Sequence, residues 1–157
     1  MSKPSILFIP GSFAPPELYD TVVNAVATKG YEIRALHLPS VGLKTGLREG
    51  EPPTMYDDAT FIAKEIEKLA DEGKDVIIVA HSYGGVPATE STKRLGKEER
   101  QTQGKKGGIV KLAYMTALVP AVGIPGGGVL PAEVGTENMA NVNLDVILPS
   151  SPFIITP

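Results

Sequence analysis

The chain has 157 residues, 42% of them hydrophobic, and its 15 basic and 18 acidic side chains leave a net charge of −3. That suffices for one domain around one core. With no cysteine, disulfides, thiolate nucleophiles and cysteine-ligated metals are excluded, and a cytoplasmic location fits best.

The first apolar run, 6–9, is four residues long behind Lys3, so neither a signal peptide nor a membrane span is expected. Residues 5–9 read as a buried strand that runs straight into Pro10-Gly11-Ser12-Phe13. Pro16 suits the first position of a helix. Leu18, Tyr19, Val22, Val23 and Val26 then repeat at helical spacing, and Gly30 supplies the stop. Residues 31–38 read as a second strand, closed by Pro39. The stretch 39–53 holds three glycines and three prolines and reads as loop. Thr54 and Asp57 have capping-box spacing, and Ala59, Ile62, Ile66 and Leu69 form one face of a helix ending near Gly73.

The segment from Asp75 to Gly85 carries the chemistry. Four consecutive large apolar residues, 76–79, read as a strand buried on both faces. They lead through Ala80 and His81 to Ser82, then Tyr83, Gly84 and Gly85, and a helix running to about Leu95. A serine can project from such a turn only if its backbone is held in a strained conformation. Its neighbours two before and two after must then be small, which Ala80, Gly84 and Gly85 satisfy. An acyl-transfer site also needs two N–H donors for the developing oxyanion. One is that of the residue after the nucleophile, Tyr83. Gly11 lets a neighbouring loop come close, so the second is the N–H of Ser12, with Phe13 as the alternative.

Residues 93–106 hold six basic side chains against two acidic ones. A nucleic-acid patch is the sharp reading, but the chain as a whole is acidic and no aromatic side chain is interleaved, so a solvated helix end and loop is expected. Residues 109–114 read as the fourth strand.

These residues together resemble the α/β-hydrolase superfamily, in its small esterase-like branch, over residues 5 to about 120. The elbow Ala80-His81-Ser82-Tyr83-Gly84-Gly85 departs from G-x-S-x-G only by Ala80. Pro10-Gly11 stands where the family more often has His-Gly. The fold implied is an α/β three-layer sandwich on a mostly parallel sheet of about four strands, in the order second, first, third, fourth. That order reverses between the first and third strands, where open α/β sheets bind ligands. Residues 1–120 are then a partial hydrolase core. Residues 121–157 are a tail rich in proline and glycine, the start of a cap or an altered C-terminus, whose stretches 144–148 and 153–155 read as short strands or sheet-edge covers.

The resemblance implies a serine esterase acting on a carboxylic ester or thioester, with Ser82 as nucleophile. The oxyanion hole is formed by Ser12 and Tyr83, and Gly11, Gly84 and Gly85 are the small residues of loop and elbow. No metal and no organic cofactor is implied. The expected partner is a small ester or acyl compound, with no nucleic acid and no membrane, and an open sheet edge could pair with a second copy. In the family a catalytic acid and then a histidine follow the serine, yet no histidine follows Ser82. The chain is also short for a complete hydrolase, so the expectation is a core that stops before both, with esterase activity impaired for want of that histidine. His81 should turn its ring away from the hydroxyl, and His37 reads as a partly buried structural residue. Asp145, Glu133 and Glu137 have no evident triad role. The alternative function is an inactive module that binds a small apolar ligand or a partner chain. A flavodoxin-like nucleotide binder shares the strand order but would need the glycine spacing of a phosphate cradle.

Overall fold

The computed structural model describes residues 3–42 and 50–121. Four strands, β1 (Ser5–Ile9), β2 (Ile33–Ala35), β3 (Asp75–His81) and β4 (Gly108–Met115), form one sheet in the order β2-β1-β3-β4. All three pairings are parallel. The helices are α1 (Asp20–Ala27), α2 (Met55–Asp71), α3 (Gly85–Ser91) and α4 (Lys97–Gln101), with single 3-10 turns at Pro16–Tyr19 and Ser82–Gly84. The expected fold class and strand order are both present.

Side chains alternate across the sheet, so each strand serves two faces. On one face Leu7, Ile9, Val76, Ile78 and Ala80 meet Ile62, Ile66 and Leu69 of α2 and Ala88 of α3, forming the main core. On the other face Phe8 is buried beneath Tyr19, their rings 4.6 Å apart. There, Ile77 and Val79 are only half buried. The apolar stripe expected of the first helix is correspondingly thin: α1 buries no residue, and Leu18 is 71% exposed.

α2 opens with the expected capping box, Asp57 accepting the Thr54 backbone N–H at 2.7 Å. Gly30 and Gly73, the expected stops, adopt φ of +77° and +80° that a β-carbon would strain. The second strand is shorter than read, three residues instead of eight, because only Ile33–Ala35 pair with β1. α3 stops at Ser91 instead of Leu95, and α4 is a further helix inside the basic stretch. Of that stretch, Arg100 is only 1% exposed, donating to Asp71 at 2.6 Å and to the Gly107 carbonyl at 2.8 Å. Lys97 pairs with Asp75. No described helix is long and apolar enough to cross a membrane. The tail expectations at 144–148 and 153–155, like Asp145, Glu133 and Glu137, lie outside the described residues.

Candidate active site

Ser82 sits where β3 ends and the turn into α3 begins, and its φ is +52°, in the left-handed region that non-glycine residues seldom occupy. Such a conformation costs on the order of 1–3 kcal/mol and persists only where the surroundings over-determine it. Three contacts do so here. The Leu118 N–H, beyond β4, donates to the Ser82 carbonyl at 3.0 Å. Gly84 lies so close to the end of β1 that a β-carbon would stand 2.4 Å from the Pro10 carbonyl oxygen. At Gly85 the same atom would stand 2.1 Å from the Leu118 carbonyl oxygen. Both elbow glycines are therefore required by close backbone approach. Tyr114 of β4 adds a brace, its hydroxyl 2.7 Å from that of Thr89, which donates to the Gly85 carbonyl. Burial raises the Tyr114 phenol above its ordinary pKa.

The loop after β1 faces this turn. A β-carbon on Gly11 would lie 3.1 Å from the Ser82 β-carbon and 3.6 Å from its Oγ, so Gly11 brings the loop against the serine. Its own N–H is committed, donating to the Tyr19 hydroxyl at 3.1 Å. Among the described residues no acceptor takes the N–H of Ser12 or of Phe13. Ser12 is exposed, and Phe13 follows at φ +57° with its ring 93% exposed.

Neither histidine is a simple base for Ser82. His81 Nδ1 lies 2.8 Å from the Tyr19 hydroxyl and the two rings meet edge on, so the ring is held toward the Gly11 loop. His37 is exposed, which corrects the expectation of a partly buried residue, because the second strand ends two residues before it. Its Nε2 faces the carbonyls of Val41 and Gly42 at 3.3 and 3.2 Å and so acts as a donor.

The sequence reading missed Tyr19, Ser40 and Asp58. Asp58, in the first turn of α2, is 0% exposed. It accepts the Ser40 N–H at 2.8 Å and hydroxyl at 2.5 Å, and the Tyr83 hydroxyl at 2.8 Å. Burial, and then the neighbouring Asp58, push the Tyr83 phenol far above its ordinary pKa, so it remains a neutral donor. An aspartate one position past the capping box, on the buried face of an amphipathic helix, was the available signal.

A sequence profile of the Alpha/beta hydrolase family matches residues 6–153. The chain is 35% identical over 123 residues to the probable hydrolase R7 of a Phoma species, covering 78% of this chain and 46% of that protein. It is likewise 35% identical over 124 residues to the alpha/beta hydrolase nvfD of Aspergillus novofumigatus, again covering 78% and 46%. Among solved structures, a pyrethroid hydrolase from Sphingobium faniae matches with a TM-score of 0.54 at 21% identity, over 77% of this chain and 42% of that one. At that identity the likeness speaks for the fold alone. The chain spans about half the length of the curated relatives it matches.

Proposed function

The chain belongs to the alpha/beta hydrolase family, and on that premise we propose that it carries the nucleophile half of a serine esterase site. Ser82 Oγ attacks the carbonyl carbon of a small carboxylic ester or thioester, and its proton passes to a base. The carbonyl oxygen becomes an oxyanion held by the N–H groups of Tyr83 and Ser12. When the tetrahedral intermediate collapses, the alcohol or thiol leaves with that proton, and water then cleaves the acyl-serine. The step as written uses no metal and no organic cofactor. In this reading the protein works in the cytoplasm, on a small-molecule substrate, without nucleic acid or membrane.

The observation that carries the reading is the left-handed Ser82 with the Gly11 loop packed against it. A strained serine at a strand-to-helix turn, beside a loop whose Ser12 and Phe13 N–H groups meet no acceptor among the described residues, is an arrangement that ordinary folding does not call for. Among the described residues neither histidine is placed to act as that base. Tyr19 occupies Nδ1 of His81, and His37 donates to loop carbonyls.

That engagement of both histidines favours a second reading, a module of the same family that binds a small apolar acyl or aromatic ligand in the cleft without turning it over. Removing the base alone still leaves binding and oxyanion contributions. Labelling with a fluorophosphonate probe, with Ser82→Ala as control, separates the two. Labelling lost in the variant supports the esterase reading. A folded protein that stays unlabelled refutes it and leaves the binding module.

A further inference from the structure

Asp58 stands out among the buried polar groups. It is wholly buried, and its three donors are the backbone and side chain of Ser40 and the side chain of Tyr83. None of the ion pairs among the described residues includes it. Burying a carboxylate without a cation is unfavourable unless hydrogen bonds compensate, and an apolar side chain of similar size would satisfy the helix. The three donors lie in two segments, the turn after β2 and the elbow after β3. Ser40 ends the turn after β2, and Tyr83 is the residue whose backbone follows the strained serine.

We propose that Asp58 is a positioning residue: by holding the Tyr83 hydroxyl it fixes the Ser82–Tyr83 peptide, and so aims the Tyr83 N–H at the oxyanion while tying the Pro39 and Ser40 turn to the same point. The proposal rests on Ser82 being the nucleophile. The other restraints on the elbow, the Leu118 N–H and the packing of Gly84 and Gly85, act on the backbone at Ser82 and beyond Tyr83. The Tyr83 ring packs against the core, and its hydroxyl is held by Asp58 of α2, an element of 17 residues, so that the side chain is fixed at its tip as well as along its ring. A strained backbone needs each such restraint, since a small rotation of this peptide swings the N–H away from its target.

Tyr83→Phe keeps the backbone N–H and removes only the tether. Asp58→Ala removes the acceptor for all three donors. Asp58→Asn keeps an oxygen for the Ser40 N–H, and its amide can donate to hydroxyls that turn to accept. In the full chain, the rate of fluorophosphonate labelling at Ser82, read on folded protein without urea, is expected to fall about tenfold in Tyr83→Phe, whose lost hydrogen bond to a buried carboxylate also lowers the urea midpoint, and at least as far in Asp58→Ala. Asp58→Asn should recover most of the rate lost in Asp58→Ala. Wild-type rates in both Tyr83→Phe and Asp58→Asn overturn the proposal even if Asp58→Ala fails to fold.

The orientation of the Ser82–Tyr83 peptide, set by ψ of Ser82 and φ of Tyr83 and read by NMR from backbone couplings and carbon shifts in wild type and Tyr83→Phe, decides independently of labelling. A wild type that does not label refutes the nucleophile reading. In that case an unchanged Ser82 ψ and Tyr83 φ in Tyr83→Phe overturn the positioning role too, whereas a change in either supports it.

Discussion

Gly84→Ala is the sharpest test of how the elbow is held. The added β-carbon would lie 2.4 Å from the Pro10 carbonyl oxygen and 2.6 Å from that of Ile9. To reach the 3.0 Å below which real β-carbons are essentially never found, the Pro10 oxygen must retreat by 0.6 Å. Those atoms are backbone at the end of a central strand whose last pairing is Ile9 with Ala80, so no side chain can swing aside. Overpacking of this kind costs roughly 1–3 kcal/mol. Alanine's better helix propensity, at most about 1 kcal/mol, is only partly realised in a 3-10 turn. A net loss of about 2 kcal/mol follows, a fall in the urea midpoint of about 1 M for a domain of this size. Because Pro10 precedes Gly11, the same displacement moves the Gly11 loop off Ser82, and on the esterase reading fluorophosphonate labelling should slow about tenfold. Gly96→Ala is the control, since its β-carbon would meet nothing within 4 Å. It should cost less than about 1 kcal/mol. A Gly84→Ala protein with the wild-type midpoint and wild-type labelling would refute the packing argument.

Three further outcomes are expected. Ser82→Gly should be more stable than Ser82→Ala by about 1 kcal/mol, because glycine alone relieves the left-handed strain; equal urea midpoints would show that φ +52° carries none. Tyr19→Phe removes the acceptor of the buried Gly11 N–H and the partner of His81, and should destabilise the protein by about 1–3 kcal/mol by urea titration, while a neutral result would mean the loop finds another acceptor. Acid should destabilise the fold as the pH falls below 4.5. The donors Ser5 and Lys74 hold Glu32 below its ordinary 4.5, and Arg100, against a smaller effect of burial, holds Asp71 below 3.8. Burial alone would raise Glu65, but Lys68 and Arg34 outweigh it and leave it lowered. Depressed carboxylates add stability above their unfolded pKa values and lose it as the pH drops through the folded ones, so thermal melting from pH 6 to pH 2 should show the decline, blunted in Asp71→Asn.

Three strands were legible because their apolar runs end at a glycine, proline or polar turn, and the elbow because its small residues stand at fixed spacing around Ser82; the second strand was overread, since its apolar residues continue past Ala35 where pairing with β1 stops. Helix boundaries were less so. Leu18, Val22 and Val26 have helical period, yet period reports only that a stripe exists and not how much surface stands ready to cover it, and neither the 3-10 turn nor α1 buries any of them. Likewise Arg100 read as one of a solvated basic group, because nothing local announces that Asp71 and the Gly107 carbonyl, both distant in sequence or on another element, converge on it. The candidate site followed the same division. Gly11, Ser12, Ser82 and Tyr83 could be named from local spacing, whereas the ties from Tyr19 to His81 and from Asp58 to Tyr83 span 62 and 25 residues and arise only once the sheet has formed.

The order β2-β1-β3-β4 also ranks the strands by how readily they open. β1 and β3 are paired on both sides, whereas β2 and β4 each have one partner strand among the described residues. Amide exchange with deuterated solvent should therefore be fastest in the two marginal strands and slowest in the central pair. Gly11 and Ser82 stand at the ends of that central pair, so the sheet can fray at either margin while the serine and its facing loop remain anchored in its slowest-opening part.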